Sequence, residues 1–280
     1  MKKQFTKILI FMVVFAFGIG TSAYAFTTGY SSFAELYASE EATDYSIKAT
    51  DNGKATTILA IHGGGIERGT SELVEALNKH GRYNTYLFEG LKATDNGSLF
   101  LRAINFDEPT ATRLVKNSDY TVSVIGAAGD DEVTYIGGQN KLLAEVIRLH
   151  LITQGYNVKT FSTPDRIAGV MNSNIVNKNK LFNDDFKLGG VQIAISKGLR
   201  DKLVTDSGTL NNYSSSINAA LSKSWPVIVR QMKKITKSDG KSRGFLSLFN
   251  HSKRNMDKKV DDILAKGAKT PEELIEDTQE

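Results

Sequence analysis

Few side chains in this 280-residue sequence have the types and spacing to do chemistry, and the densest group is His62-Gly63-Gly64-Gly65-Ile66-Glu67. It follows the apolar, β-branched run Ile58-Leu59-Ala60-Ile61, which has the length of a buried strand. The glycines permit a tight turn with positive φ, and a helical pattern starts at Glu67 and continues through Leu73 and Leu77. His62 is therefore expected at the carboxyl end of a strand, where open α/β sheets place their ligands. The chain has no cysteine, which excludes disulfides and thiolate metal sites, so any metal must be held by His, Asp or Glu. A second chemistry for the glycine run is a phosphate cradle at a helix N-terminus. Against it, the run lacks both the Gly-Lys-Ser/Thr ending of a P-loop and the spacing of a dinucleotide fingerprint.

The elements that must position this group follow from periodicity. Strands are expected near Thr57 to Ile61, Tyr83 to Phe88, Leu99 to Ile104, Tyr120 to Ile125, Asn157 to Thr160 and Val191 to Ile195. Helices are expected near Glu67 to Lys79, Pro109 to Lys116, Asn140 to Gln154 and Lys197 to Lys202. Phe26 to Gly53 is polar and leads into the fold through an edge segment. Strands interleaved with helices imply an α/β fold of three layers, an open mixed and mainly parallel sheet flanked by helices.

The ends of the chain differ from its middle. Lys2, Lys3 and Lys7, the apolar run Ile8 to Gly20 and Ala23-Tyr24-Ala25 form a secretory signal pattern, so residues 1–25 are expected to be removed and the protein secreted. That segment takes three of the 35 Lys+Arg with it, leaving 32 against 31 Asp+Glu. A specific nucleic-acid partner does not follow from a chain so nearly neutral. Residues 26–222 read as one domain and 223–280 as a helical C-terminal extension, basic and then acidic, with joints at Trp225-Pro226 and Ser238 to Ser242. The extension has two readings: an appendage whose halves neutralise each other, or an anchor in which residues 223–259, with Trp225, Phe245 and Phe249 interleaved, contact an anionic surface.

Four ordered blocks together resemble the poly-γ-glutamate hydrolases of phages and bacilli: Ile61 to Glu67; Phe106-Asp107-Glu108-Pro109; Val133-Thr134-Tyr135-Ile136-Gly137-Gly138; and Gly190-Val191-Gln192-Ile193 with Gly198-Leu199-Arg200. The likeness spans roughly Asp44 to Leu221. It implies a zinc carboxypeptidase-like fold, one zinc ion on two histidines and a glutamate, and a further glutamate as general base. By that resemblance His62 and Glu67 stand where the first two metal ligands belong, and Lys178 and Arg200 are candidates to hold the substrate's carboxylates.

Two expected residues are replaced. Where the family's strand ends in His-Gly, with that histidine as third ligand, this sequence reads Ile125-Gly126. Where the Gly-Val-Gln-apolar block is followed by the glutamate base, it has Ala194. Alternation places Ile125 on one side with Thr121 and Ser123, and Ala194 with Gln192 and Ser196. Phe100-Leu101-Arg102-Ala103 also departs from the family's His-apolar-Thr-Ser, and Lys178 replaces an arginine, losing its bidentate fork. The remaining histidines, His80, His150 and His251, read as surface or cap residues, and Asp130-Asp131-Glu132 reads as a solvated loop. The expectation is a catalytically impaired, secreted family member whose zinc binding is weak or lost and which still binds poly-γ-glutamate or another anionic polymer. The alternative is an active zinc-dependent hydrolase of γ-glutamyl amide bonds with a rearranged site.

Overall fold

The computed structural model describes residues 29–160, 167–181 and 188–230. The expected signal segment, His251 and the extension beyond Arg230 lie outside the described residues. The chain forms α1 (Phe33–Ser39), β1 (Tyr45–Thr50), β2 (Thr56–Gly64), α2 (Thr70–Gly81), β3 (Asn84–Gly90), α3 (Pro109–Lys116) and β4 (Tyr120–Ala127). It continues with β5 (Val133–Gly138), α4 (Lys141–Thr153), β6 (Asn157–Thr160), β7 (Val191–Ser196), α5 (Lys197–Thr205) and α6 (Ser207–Ala219).

The strands lie in one seven-stranded sheet in the order β1-β3-β2-β4-β7-β5-β6. The middle strands β3, β2, β4 and β7 are mutually parallel, while β1 and β5 run antiparallel to their inner neighbours. Alternation gives the sheet two buried faces. Ile58, Ala60, Val122, Val124, Ile193 and Ile195 meet Leu73, Leu77, Ile147, Leu199 and Tyr213 from α2, α4, α5 and α6. Leu59, Ile61, Tyr86, Phe88, Ile125 and Ala194 meet Leu36 of α1 and Ala111, Leu114 and Val115 of α3. Covered faces explain why the inner strands read as near-continuous apolar runs.

Three sequence expectations are corrected. Leu99 to Ile104 is not a strand: a 3₁₀ turn at Asn96–Leu99 leads into turns in which Phe100 N–H donates to Gly97 O and Asn105 N–H to Arg102 O. This stretch is a strap across the α1/α3 face, and the strand pattern was produced by burial of Leu99, Leu101 and Phe106. The helix expected from Glu67 starts at Thr70, because Gly69, its N-cap, has φ 100° and cannot carry a helix through. Trp225, expected in an exposed joint, is only 4% exposed and packs edge-on to Tyr120 with ring centroids 5.4 Å apart. It is therefore not available to a surface partner.

Candidate active site remnant

β2 does not keep simple alternation to its end. Its register against β3 shifts between Ala60 and Gly63, and a bulge of this kind re-aims the side chain at that point. His62 consequently faces the strap: Nε2 lies 2.9 Å from Leu101 O, and the ring stacks on Phe100 with centroids 4.1 Å apart. The turn after the glycines is closed by Glu67 N–H donating to His62 O, which brings the Glu67 carboxylate back over the histidine. Its Oε2 is 3.1 Å from His62 Nδ1 and accepts the Gly126 N–H at 2.5 Å.

These contacts orient the ring. A backbone carbonyl only accepts, so the ring hydrogen belongs on Nε2, toward Leu101. Nδ1 then faces a Glu67 carboxyl oxygen at 3.1 Å, a contact that closes as a hydrogen bond through one shared proton. His62 is 2% exposed, so water screens this interaction poorly.

Arg200, on α5, completes the polar part of the site. Its Nε donates to Ile195 O at 3.1 Å and its NH1 to Arg68 O at 2.7 Å, fastening the end of β7 to the β2–α2 turn. Gly126 shows how closely the charges meet, since a Cβ there would fall 2.8 Å from Glu67 Cδ and 3.1 Å from Arg200 Nε. Lys178 follows a different element. It caps the 3₁₀ turn Ile175–Asn177, and its neighbours Val176 and Asn179 bond the side chain of Thr121, four residues before Ile125 on β4.

Ile125 and Ala194 are direct partners in the β4–β7 register, and Tyr135 of β5 pairs with Ala194 from the other side. Ile125 is 6% exposed, Ala194 fully buried, and both belong to the apolar cluster under the strap. A hydrolytic zinc ion takes three protein donors and leaves one position for water. Here the third direction is aliphatic, and among the described residues no three His, Cys, Asp or Glu side chains converge. The donor set does not fit a resident catalytic zinc.

The other histidines offer no replacement. His80 is exposed at the end of α2, with Nε2 3.3 Å from Ser215 Oγ. His150, against expectation, is no surface residue: it is buried on α4 with Nε2 2.8 Å from Ser224 Oγ. Both helices lie on the far side of the sheet from Ile125. The acidic loop stays at the surface, where Glu132 pairs with Lys202 at 2.8 Å. Sequence reasoning missed the parts of the site that are main chain, namely Leu101 O, Gly126 N–H and Arg68 O, and it missed Phe100 as the ring's support. A cavity of about 360 Å³ lies at the opposite, amino-terminal end of β2, lined by residues including Lys54, Asn84, Asp119 and Lys180. The Asn84 amide there is already used by Asn52 and Lys54 main chain.

The fold and site together define an α/β domain with a buried His62–Glu67 pair at the carboxyl edge of a mixed sheet. Residues 30–224 match the family described as Poly-gamma-glutamate hydrolase. This chain belongs to that family. It is 36% identical over 174 residues to UPF0714 protein YndL of Bacillus subtilis (strain 168), covering 62% of this chain and 66% of that one. It is 41% identical over 150 residues to the SPbeta prophage-derived UPF0714 protein YoqZ of the same organism, covering 54% of each. The match thus spans just under two thirds of the first relative's length and about half of the second's. A solved structure of a bacteriophage poly-gamma-glutamate hydrolase superposes with a TM-score of 0.65 at 26% identity, covering 72% of this chain and all of that one.

Proposed function

We propose that this protein is an exported member of the family that does not hydrolyse poly-γ-glutamate and instead binds it, or a similar anionic polymer, at the carboxyl edge of the sheet. The observation that carries this reading is the register pairing of Ile125 with Ala194, which fills the positions of the third ligand and the general base with buried aliphatic side chains. Loss of a general base alone costs about 10²–10⁴-fold in rate, and loss of a metal ligand removes the Lewis acid the reaction depends on. What remains is suited to binding. Arg200 is held beside Glu67 by two backbone carbonyls, Arg68 is fastened to it, and Arg102 is exposed on the strap next to Leu101. Such a rim favours carboxylates.

The test is incubation of the purified protein with poly-γ-glutamate, followed by chromatography of the products and by polarisation of a labelled polymer. Expected are an unchanged chain length and salt-sensitive binding that weakens in Arg200→Ala. Release of short γ-glutamyl oligomers, abolished by His62→Ala, would establish the active zinc hydrolase instead.

A further inference from the structure

We infer that the cavity at the amino-terminal end of β2 is a second binding site, separate from the His62–Glu67 pair, and that it takes a free acidic amino acid. Its volume of about 360 Å³ falls at the small end of small-molecule pockets. Separate stretches of chain meet there: the β1–β2 turn brings Asp51 and Lys54, the start of β3 brings Asn84, the α3–β4 turn brings Asp119, and Lys180 follows the 3₁₀ turn Ile175–Asn177. Main chain holds these walls. Asn84 Oδ1 accepts the Asn52 and Lys54 N–H groups and Nδ2 donates to Lys54 O, while the Asp119 N–H donates to Ala55 O and the Lys180 N–H to Ser118 O, both at 2.9 Å. The scaffold thus uses backbone atoms of Lys54, Asp119 and Lys180 and leaves their side chains uncommitted.

The charges of the lining select the ligand. Asp51 is offset by Arg113, 3.5 Å away, whereas Lys54, Lys180 and Asp119 form no ion pair among the described residues. Two ammonium groups therefore stand against one carboxylate. A dicarboxylate without an amine would leave Asp119 facing only negative charge, and a basic amino acid would meet two lysines. A ligand with one ammonium, for Asp119, and two carboxylates, for Lys54 and Lys180, matches each charge with its opposite. The carboxyl end of α3 reinforces this polarity, since its C-cap Asn117 also lines the cavity and a helix terminus of that sign favours a cation. Leu114, buried on α3, offers an apolar contact to a short hydrocarbon stem. Both lysines are exposed, so screening holds the expected dissociation constant on the order of 0.1–1 mM.

Titration calorimetry of the purified protein tests this with L-aspartate and L-glutamate, and with glutarate and L-glutamine as probes that lack the amine or the second carboxylate. Saturable binding of an acidic amino acid is expected, with glutarate and glutamine weaker by roughly tenfold or more. Lys54→Gln, Lys180→Gln and Asp119→Asn remove charges that the scaffold does not use, so each should keep the thermal melt of the wild type and weaken binding by a similar factor. No saturation by either acidic amino acid below about 10 mM, glutarate binding as tightly as glutamate, or an affinity unchanged by Lys54→Gln and Asp119→Asn would each overturn the proposal. None of these outcomes depends on whether the carboxyl edge of the sheet binds or cleaves a polymer.

Discussion

At the scale of single residues, Ala194 and Ile125 carry the most consequence because they face each other across two strands with no solvent between them. Ala194→Glu alone places an unpaired carboxylate in an apolar cluster and should destabilise the protein by about 3–5 kcal/mol in urea unfolding. Ile125→His supplies the partner that carboxylate lacks. The double variant should therefore be more stable in zinc than the sum of its single changes implies, bind zinc stoichiometrically by metal analysis, and release γ-glutamyl oligomers that the wild type does not. Additive losses with no metal uptake would mean that more of the centre than these two positions has been rebuilt. His62 belongs to the same scale: its identity and neighbourhood to Glu67 were legible from the motif, but its bond to Leu101 O was not. A backbone carbonyl 39 residues away leaves no mark on residue type.

At the scale of elements, local chemistry was a good guide wherever periodicity and end signals agreed. α3 begins with Pro109 at its first turn and Glu108 as N-cap, whose Oε2 accepts the Ala111 N–H at 2.7 Å. Glu108→Ala should cost about 1 kcal/mol, measurable as a lowered urea midpoint at unchanged m-value. α5 illustrates a constraint that periodicity does not reveal. A Cβ at Gly198 would meet the main-chain oxygen of Asp130 from the β4–β5 loop at 1.9 Å. Gly198→Ala should therefore destabilise by about 1–3 kcal/mol by displacing that loop, where a helix would ordinarily gain from alanine. The failures have equally local causes. β5, Val133–Gly138, carries a weak strand signal, since two of its six residues are glycines. Leu99 to Ile104 has the sequence look of a strand because a buried strap shares the apolar content of one.

At the scale of the whole molecule, the amino-terminal segment is clipped to the sheet by charge. Lys92 Nζ pairs with Glu40 at 2.5 Å, and Tyr30 OH donates to the same carboxylate at 2.6 Å. Burial pushes the Glu40 carboxyl up, but the Lys92 and Tyr30 hydrogen bonds more than offset it and hold it below the ordinary value. The Tyr30 phenol is pushed up from 10.0 to about 12 by burial and by donating to Glu40. The two shifts act at opposite ends of the pH scale. Glu40, lowered in the fold, stabilises above its unfolded value, and that stabilisation is lost as pH falls through the folded value. Tyr30, raised in the fold, stabilises fully below pH 10, and that contribution is lost as pH rises through about 12. Urea midpoints measured from pH 8 to 12 should decline less steeply in Tyr30→Phe than in the wild type. An equal decline would show that the clip does not depend on the phenol.

The sequence by itself determined the family, the sheet's inner strands, the place of His62 at a strand end and the aliphatic residue types of Ile125 and Ala194 on two inner strands. These are properties of residue type and short-range spacing, and alternation carries them without further information. Tertiary structure alone decided that Ile125 and Ala194 pair in register and that a bulge turns His62 toward the strap. It also decided that Arg200 is anchored by carbonyls of Arg68 and Ile195, and that Trp225 is core. Each of these depends on strand order, bulge register or main-chain atoms of distant segments, which side-chain pattern does not encode.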